Sequence, residues 1–208
     1  MVQSERDMTE PKATRAVQHS KVWNLPNILT YGRILAVPAV AGLLMWDTSD
    51  TRWTALAIYI VAAITDFFDG YLARKWQQQS SLGRMLDPIA DKVLVAVVLL
   101  VLATSPILYG GHLWAAIIIL SREVLVSGLR EYLGELQVSV PVTQIAKWKT
   151  TVQLVAIGFL IAGPAGDALF PSFPIVTTVG LAMLWVAAGL TLYTGYDYFR
   201  AGIRHVVD

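Results

Sequence analysis

The sequence predicts an all-α integral membrane protein with six transmembrane helices. Of its 208 residues, 55% are hydrophobic and 15% are charged, whereas soluble domains average about 45–50% apolar and about 25% charged residues. The mean hydropathy is +0.55. A net charge of +1 lacks the basic excess of nucleic-acid-binding proteins, so no nucleic-acid partner is expected. The absence of cysteine excludes disulfides, thiolate metal ligands and cysteine nucleophiles.

Charge-free stretches and turn residues predict the positions of the helices. We expect them at about 27–46, 53–73, 88–107, 112–133, 146–163 and 173–200. The first two charge-free runs have 13 residues each, about 20 Å of helix, so both helices must extend through charged residues to cross a core of about 30 Å. Ser105-Pro106 and Gly110-Gly111 interrupt one long apolar stretch, a pattern typical of a turn between two helices.

The two ends of the chain are expected on the cytoplasmic side. Residues 1–21 are polar, without the apolar segment of a signal peptide, and predict a mobile tail before a single membrane domain at 22–208. Within it, residues 22–33 predict a short amphipathic helix on the membrane surface. Six spans put both termini on one side, where 15 of the 16 Lys and Arg residues lie, and Arg52 alone lies on the other. Basic residues favour the cytoplasmic side.

Four aspartates lie at the ends of two predicted helices. Asp66 and Asp69 are three positions apart, and Asp87 and Asp91 are four apart, so each pair shares one helical face. The connection between the helices is short, which predicts antiparallel neighbours whose pairs face each other. An aspartate in a span costs about 2.5–3.5 kcal/mol, and four together repel one another. Hard divalent cations would relieve that cost, and we predict a two-metal site for Mg²⁺ or Mn²⁺ that holds phosphate groups.

Two alternative roles for the aspartates stay open. They could form a solvated charge cluster in a cytoplasmic loop, although Phe67, Phe68 and Ile89 embed them in apolar helices. They could also bind ions along the route of a divalent-cation transporter. Such a route needs polar residues as far as the opposite side, whereas the stretches 93–104 and 154–163 are apolar.

The pattern D-x2-D-G-x2-A-R-x8-G-x3-D-x3-D at residues 66–91 resembles the signature of the CDP-alcohol phosphotransferase family. The resemblance implies six membrane helices around a polar cavity open to the cytoplasm, two bound metal ions and a homodimer. It also implies the transfer of a phosphatidyl or similar group from a CDP-linked donor to an alcohol, with release of CMP. Three further stretches, at 24–33, 121–131 and 147–153, are similar to the phosphatidylglycerophosphate synthase branch of the family.

The resemblance further implies roles for individual residues. Asp66, Asp69 and Asp87 would bind one metal ion, and Asp66, Asp87 and Asp91 the second, with Asp91 also acting as the general base. Residues near the first three helices would contact the CDP group: Asn27, Thr30, Gly70, Ala73, Arg74, Ser80 and Gly83. Basic residues at the inner ends of the fourth and fifth helices are candidates for binding an acceptor phosphate: Arg122, Arg130, Lys147 and Lys149.

The expected reaction is therefore the transfer of the phosphatidyl group from CDP-diacylglycerol to sn-glycerol 3-phosphate in a bacterial inner membrane. Its products are phosphatidylglycerophosphate and CMP. The donor is common to the family, so a phosphatidylinositol phosphate synthase and a CDP-type cardiolipin synthase stay open as alternatives. The acceptor-side stretches 121–131 and 147–153 favour glycerol 3-phosphate by resemblance.

Overall fold

The computed structural model describes residues 25–76, 81–138, 144–170 and 172–207. These residues form six α-helices and one short 3-10 turn at Gly110–His112, with no strand among them. The helices are α1 (Leu25–Trp46), α2 (Ser49–Trp76), α3 (Ser81–Ala103), α4 (Leu113–Glu135), α5 (Gln144–Asp167) and α6 (Ile175–Val207). The all-α prediction is confirmed, and each predicted helix is present. The predicted tail at 1–21 lies outside the described residues.

Four of the described segments are long and apolar enough to cross a membrane. They are Asn27–Trp46, Gly110–Glu135, Gln144–Asp167 and Ile175–Ile203. Within the described residues α2 and α3 do not meet this measure, because the described part of each helix includes three charged residues. The count of six spans therefore stays a prediction. In its favour, large apolar side chains are exposed on both helices: Ile60, Val61, Ile64, Val93 and Leu100.

Several helix boundaries differ from the prediction, by up to seven residues at the start of α3 and at the end of α6. α1 runs without a break from Leu25 to Trp46, so residues 25–33 form its first turns rather than a separate surface helix, while residues 22–24 lie outside the described residues. α3 begins at Ser81 instead of near position 88. Proline favours the first turn of a helix, which suggests the later start, but Pro88 lies inside α3. Membrane helices tolerate an internal proline where neighbouring groups satisfy the freed backbone carbonyl.

α1 lies between the two helices that carry the aspartates. It packs against both α2 and α3, which are not themselves among the closely packed pairs in the described part of the chain. Their aspartate-bearing ends are only partly described, so the predicted direct pairing of α2 with α3 stays a prediction. On the other side of the bundle α5 packs against α2 and α6, and α4 packs against α6.

The buried core changes from polar to apolar along the bundle. On α1 the buried side chains are polar near the start, at Asn27, Thr30 and Arg33, and apolar further on, at Val37 and Val40. Further buried polar side chains lie near the start of α5 and the end of α6: Lys149, Gln153, Thr191 and Thr194. Successive helices joined by short loops run in opposite directions, so these polar groups gather at one end of the bundle. This end is called the polar end below.

A kink near the end of α5 is held by a buried arginine. Gly163 has a φ of 35°, and Pro164 has no N–H to continue the helical hydrogen bonds. Arg52 on α2, 3% exposed, donates a hydrogen bond of 3.1 Å to the carbonyl of Ile161 and one of 2.5 Å to Asp47. Arg52, the basic residue predicted on the outer side, therefore pairs with the carboxylate of Asp47. It also donates to a backbone carbonyl next to the kink.

Candidate active site

The polar end of α1 holds two of the predicted aspartates. Arg33 Nη1 lies 2.6 Å from Asp66 Oδ1, and Thr30 donates a hydrogen bond of 2.5 Å to Asp87 Oδ1. Thr30 and Arg33 are three residues apart, so they share one face of α1, and both are buried. One face of α1 therefore fixes carboxylates that belong to two different helices.

Three of the predicted aspartates lie close enough for their charges to interact. Asp66 interacts with Asp87, and Asp91 interacts with Asp66. Arg33 and Lys92 act on them as cations, and Lys149 also interacts with Asp91. These side chains offer carboxylate oxygens, the ligands that a hard divalent cation of the Mg²⁺ or Mn²⁺ type prefers.

The complete metal-ligand set extends beyond the described side chains. Asp69, the fourth predicted ligand, lies outside them. Among the described acidic and histidine side chains, no three are close enough together to form a ligand set on their own. The chemistry of the donors fits the predicted metals, and their number and geometry stay predictions.

Glu123 joins two of the predicted acceptor-binding cations. Lys149 donates a hydrogen bond from Nζ to Glu123 Oε1, and Arg122 Nη1 lies 3.5 Å from the same oxygen. Arg122 also donates a hydrogen bond of 3.1 Å to Thr194 Oγ1 on α6. A single carboxylate thus connects α4 and α5, and Arg122 extends the cluster to α6. We call Arg122, Glu123 and Lys149 the basic cluster.

A glycine on α6 makes room for Arg122. A methyl group at Gly195 would lie 2.9 Å from Cγ and 3.2 Å from Nε of Arg122. The arginine side chain therefore lies directly against the backbone of α6. A larger residue at 195 would occupy the space of this side chain. Glycine therefore leaves room for the arginine in the position from which its guanidinium reaches Glu123 and Thr194.

The other two predicted cations lie outside the basic cluster. Lys147 is exposed, whereas Lys149 is 4% exposed, because helical residues two apart do not face the same side. Arg130 is also exposed, and its guanidinium lies 5.6 Å from the ring centroid of Tyr198 on α6. The structure thus brings together Arg122 and Lys149 and leaves Lys147 apart from them.

A small polar cavity joins Asp91 to two members of the basic cluster, Glu123 and Lys149. Its wall includes Asp91 and Lys92 from α3, Glu123 from α4, and Lys149 and Gln153 from α5. Asp91 interacts electrostatically with both Glu123 and Lys149. The predicted general base and one predicted acceptor cation therefore share one space. Its volume of about 40 Å³ is more than the ~10–15 Å³ that one water molecule needs.

An apolar groove adjoins this cavity. It has a volume of about 830 Å³ and lies between α2, α5 and α6, with Tyr59, Phe159 and Val176 in its wall. Leu154 lines both the groove and the polar cavity. The site therefore offers an apolar and a polar surface side by side.

The predicted nucleotide-binding residues are described only in part. Asn27, Thr30 and Gly83 are buried, and Asn27 and Thr30 lie at the polar end of α1. Nothing is described of the side-chain positions at Gly70, Ala73 and Arg74, and Ser80 lies outside the described residues.

Some residues of the site are not sequence-based candidates, among them Arg33, Gln153 and Thr194. A signal exists for two of them. Arg33 repeats the three-residue step from Asn27 to Thr30, and Gln153 follows Lys149 by one helical turn. Thr194 gives no such signal, because it meets Arg122 only through the packing of α4 against α6.

The chain matches known proteins over almost all of this region. Residues 23–193 match a family model described as CDP-alcohol phosphatidyltransferase. The chain is similar to proteins named CDP-diacylglycerol–glycerol-3-phosphate 3-phosphatidyltransferase. It is 41% identical to the protein of Cereibacter sphaeroides over 89% of this chain and 98% of the relative. The identity to the protein of Rickettsia typhi is 44%, over 86% of this chain and 96% of the relative. A relative from Arabidopsis thaliana, whose name carries the number 2, is 38% identical over 87% of this chain and 80% of its own length.

Proposed function

The chain belongs to the CDP-alcohol phosphatidyltransferase family, and we propose that it transfers the phosphatidyl group of CDP-diacylglycerol to sn-glycerol 3-phosphate. The products are phosphatidylglycerophosphate and CMP. Support for this donor and acceptor comes from the name that its relatives carry. The structural observation behind the proposal is the single cavity that joins Asp91 to Glu123 and Lys149.

The four aspartates are proposed to hold two divalent cations, Mg²⁺ or Mn²⁺, beside the diphosphate of the donor. When bound, the cations supply positive charge that neutralises the diphosphate and the leaving CMP. Arg33 and Thr30 hold the carboxylates of Asp66 and Asp87 from α1. This placement orients the oxygen donors before any ligand arrives.

The donor is a lipid, and the two surfaces of the site suit its two parts. The apolar groove between α2, α5 and α6 offers space for an acyl chain. The groove meets the polar cavity at Leu154, so a lipid in the groove would carry its head group towards Asp91. Leu154 marks the boundary between the two.

Asp91 is the proposed general base. The primary hydroxyl of glycerol 3-phosphate attacks the phosphorus that bears diacylglycerol, and the bond from that phosphorus to the oxygen of CMP breaks. The proton of the hydroxyl passes to the carboxylate of Asp91. Lys149 and Arg122 bind the acceptor phosphate, which takes over their contacts with Glu123. The cavity is smaller than the acceptor, and the withdrawal of Glu123 opens it.

The proposal places this site on the cytoplasmic side of a bacterial inner membrane. The polar end contains the Lys and Arg residues of the basic cluster, and basic residues favour that side. Arg52, at the opposite end, is neutralised by Asp47. A homodimer, implied by the family resemblance, stays a prediction.

The transporter alternative is disfavoured by the buried core. Between the polar end and Arg52, buried positions on three different helices are apolar, as at Val40, Leu99 and Ile157. A permeation route for a divalent cation would need oxygen donors along this length. Transferase activity at the polar end needs none there.

An acceptor panel tests the proposed reaction. The purified full-length chain is assayed in micelles that contain CDP-diacylglycerol and Mg²⁺, with glycerol 3-phosphate, inositol phosphate, serine or phosphatidylglycerol as the acceptor. We expect CMP release with glycerol 3-phosphate alone, and its loss when a chelator removes the cations. CMP release with one of the other acceptors, and none with glycerol 3-phosphate, would overturn the proposal.

A further inference from the structure

A glutamine in the polar cavity has a carbonyl oxygen without a hydrogen-bond partner. Gln153 is 4% exposed and lies one helical turn after Lys149 on the same face of α5. Its Oε1 atom is buried, and no described residue donates a hydrogen bond to it. Buried polar groups normally have partners, so an unpaired one in the wall of a binding cavity points to a ligand.

We propose that Gln153 binds the secondary hydroxyl of the acceptor, glycerol 3-phosphate. This inference rests on the proposed function. The acceptor carries a phosphate, a secondary hydroxyl and a primary hydroxyl on successive carbon atoms, and the same cavity presents Lys149, Gln153 and Asp91. With the phosphate on Lys149 and the primary hydroxyl at Asp91, the secondary hydroxyl is the group left for Gln153.

A hydroxyl is a suitable partner for this amide. It can donate a hydrogen bond to a carbonyl oxygen and accept one from an amide N–H. It therefore pairs with Gln153 in either orientation of the amide. A charged group is a poorer match, because the cavity already contains Asp91, Lys92, Glu123 and Lys149 for charge pairing.

The contact would make the enzyme selective for a glycerol backbone. An acceptor without the secondary hydroxyl would leave the buried amide unpaired after the cavity closes around it. Sites built to bind a hydroxyl reject analogues that lack it far more strongly than apolar pockets reject a small change in size. For one neutral hydrogen bond in a buried site, we expect a preference of about 5- to 100-fold in kcat/KM.

The test compares two acceptors in two forms of the full-length enzyme. The acceptors are glycerol 3-phosphate and 3-hydroxypropyl phosphate, which lacks only the secondary hydroxyl. Gln153→Met keeps the approximate length of the side chain and removes its hydrogen-bonding atoms. We expect the wild type to prefer glycerol 3-phosphate and the variant to lose most of that preference, because only the reaction with glycerol 3-phosphate slows. Gln144→Met, at an exposed position at the start of α5, is the matched control and keeps the preference.

Acceptor binding without the donor gives a second readout. Isothermal titration should show a weaker Kd for glycerol 3-phosphate in Gln153→Met than in the wild type, with an unchanged Kd for 3-hydroxypropyl phosphate. Equal losses for both acceptors would indicate a role in packing alone and overturn the inference. A wild type that uses both acceptors equally would overturn it without any variant. A wild type that releases no CMP with glycerol 3-phosphate would instead refute the proposed function.

Discussion

Lys147 and Lys149 form a matched pair of lysines for testing the acceptor site. Lys149 is 4% exposed, pairs with Glu123 and lines the polar cavity, whereas Lys147 is exposed on another side of α5. Replacing either residue with methionine removes one positive charge and keeps most of the side-chain length. We expect Lys149→Met to raise the KM for glycerol 3-phosphate. Lys147→Met should have little effect, because exposed ion pairs contribute at most about 1 kcal/mol.

The size of the effect follows from the contacts of Lys149. A hydrogen bond to a charged group contributes about 1.5–3 kcal/mol, and each 1.4 kcal/mol corresponds to about a tenfold change in affinity. We therefore expect KM to rise by about 10- to 140-fold. The loss of Lys149 also leaves Arg122, at 3.5 Å, as the nearest described cation to Glu123. The less neutralised carboxylate then repels the acceptor phosphate, which favours the upper part of that range.

The assay measures CMP release while one substrate is varied and the other is saturating. The KM for CDP-diacylglycerol should stay nearly unchanged in both variants, because Lys149 is proposed to contact the acceptor alone. A similar rise in KM for donor and acceptor in Lys149→Met would refute this assignment. Equal effects of the two lysine substitutions would refute the argument from burial.

Three further predictions concern the base, the packing of the basic cluster and the kink. Asp91→Asn should lower CMP release by at least about 100-fold without changing the melting temperature, and full turnover would exclude this residue as the base. Gly195→Ala should raise the KM for glycerol 3-phosphate, because its methyl group would lie 2.9 Å from a carbon of the neighbouring arginine. Gly189→Ala, with nothing within 4 Å, is the control, and identical kinetics of the two variants would contradict this reasoning. Arg52→Met should lower the free energy of unfolding by about 1–3 kcal/mol, because it leaves a buried carbonyl at the kink of α5 unpaired. An unchanged melting temperature would show that another group satisfies that carbonyl.

The positions of the helices could be predicted because charge and turn residues mark them directly. Ser105-Pro106 and Gly110-Gly111 interrupt an otherwise apolar stretch, and the structure turns there, with a φ of 57° at Gly110. The start of α3 could not be predicted in the same way, because a proline suits both the beginning of a helix and the interior of a membrane helix. The contacts of α1 with both α2 and α3 could not be predicted either, because they depend on packing between helices rather than on spacing within one.

The residues of the site that could be predicted are those whose positions follow from spacing within a single helix. Asp66, Asp87 and Asp91 follow from spacing and from the cost of charge in an apolar setting. The sequence shows that Lys147 and Lys149 point to different sides, but it does not show which of them faces the core. The pairing of Lys149 with Glu123 joins α4 and α5. A contact between two helices cannot be predicted from the periodicity of either helix alone.

The separation of polar and apolar core along the bundle has a consequence for how this protein can change. Stability rests largely on the apolar half, whereas the side chains proposed to recognise the acceptor occupy about one turn each of α4 and α5. Substitutions in these turns would alter the contacts with the head group, whereas buried apolar positions such as Val40 and Leu99 lie on other helices. The architecture lets substrate choice diversify while the scaffold stays the same, so new lipid head groups can arise by local exchange rather than by a new fold.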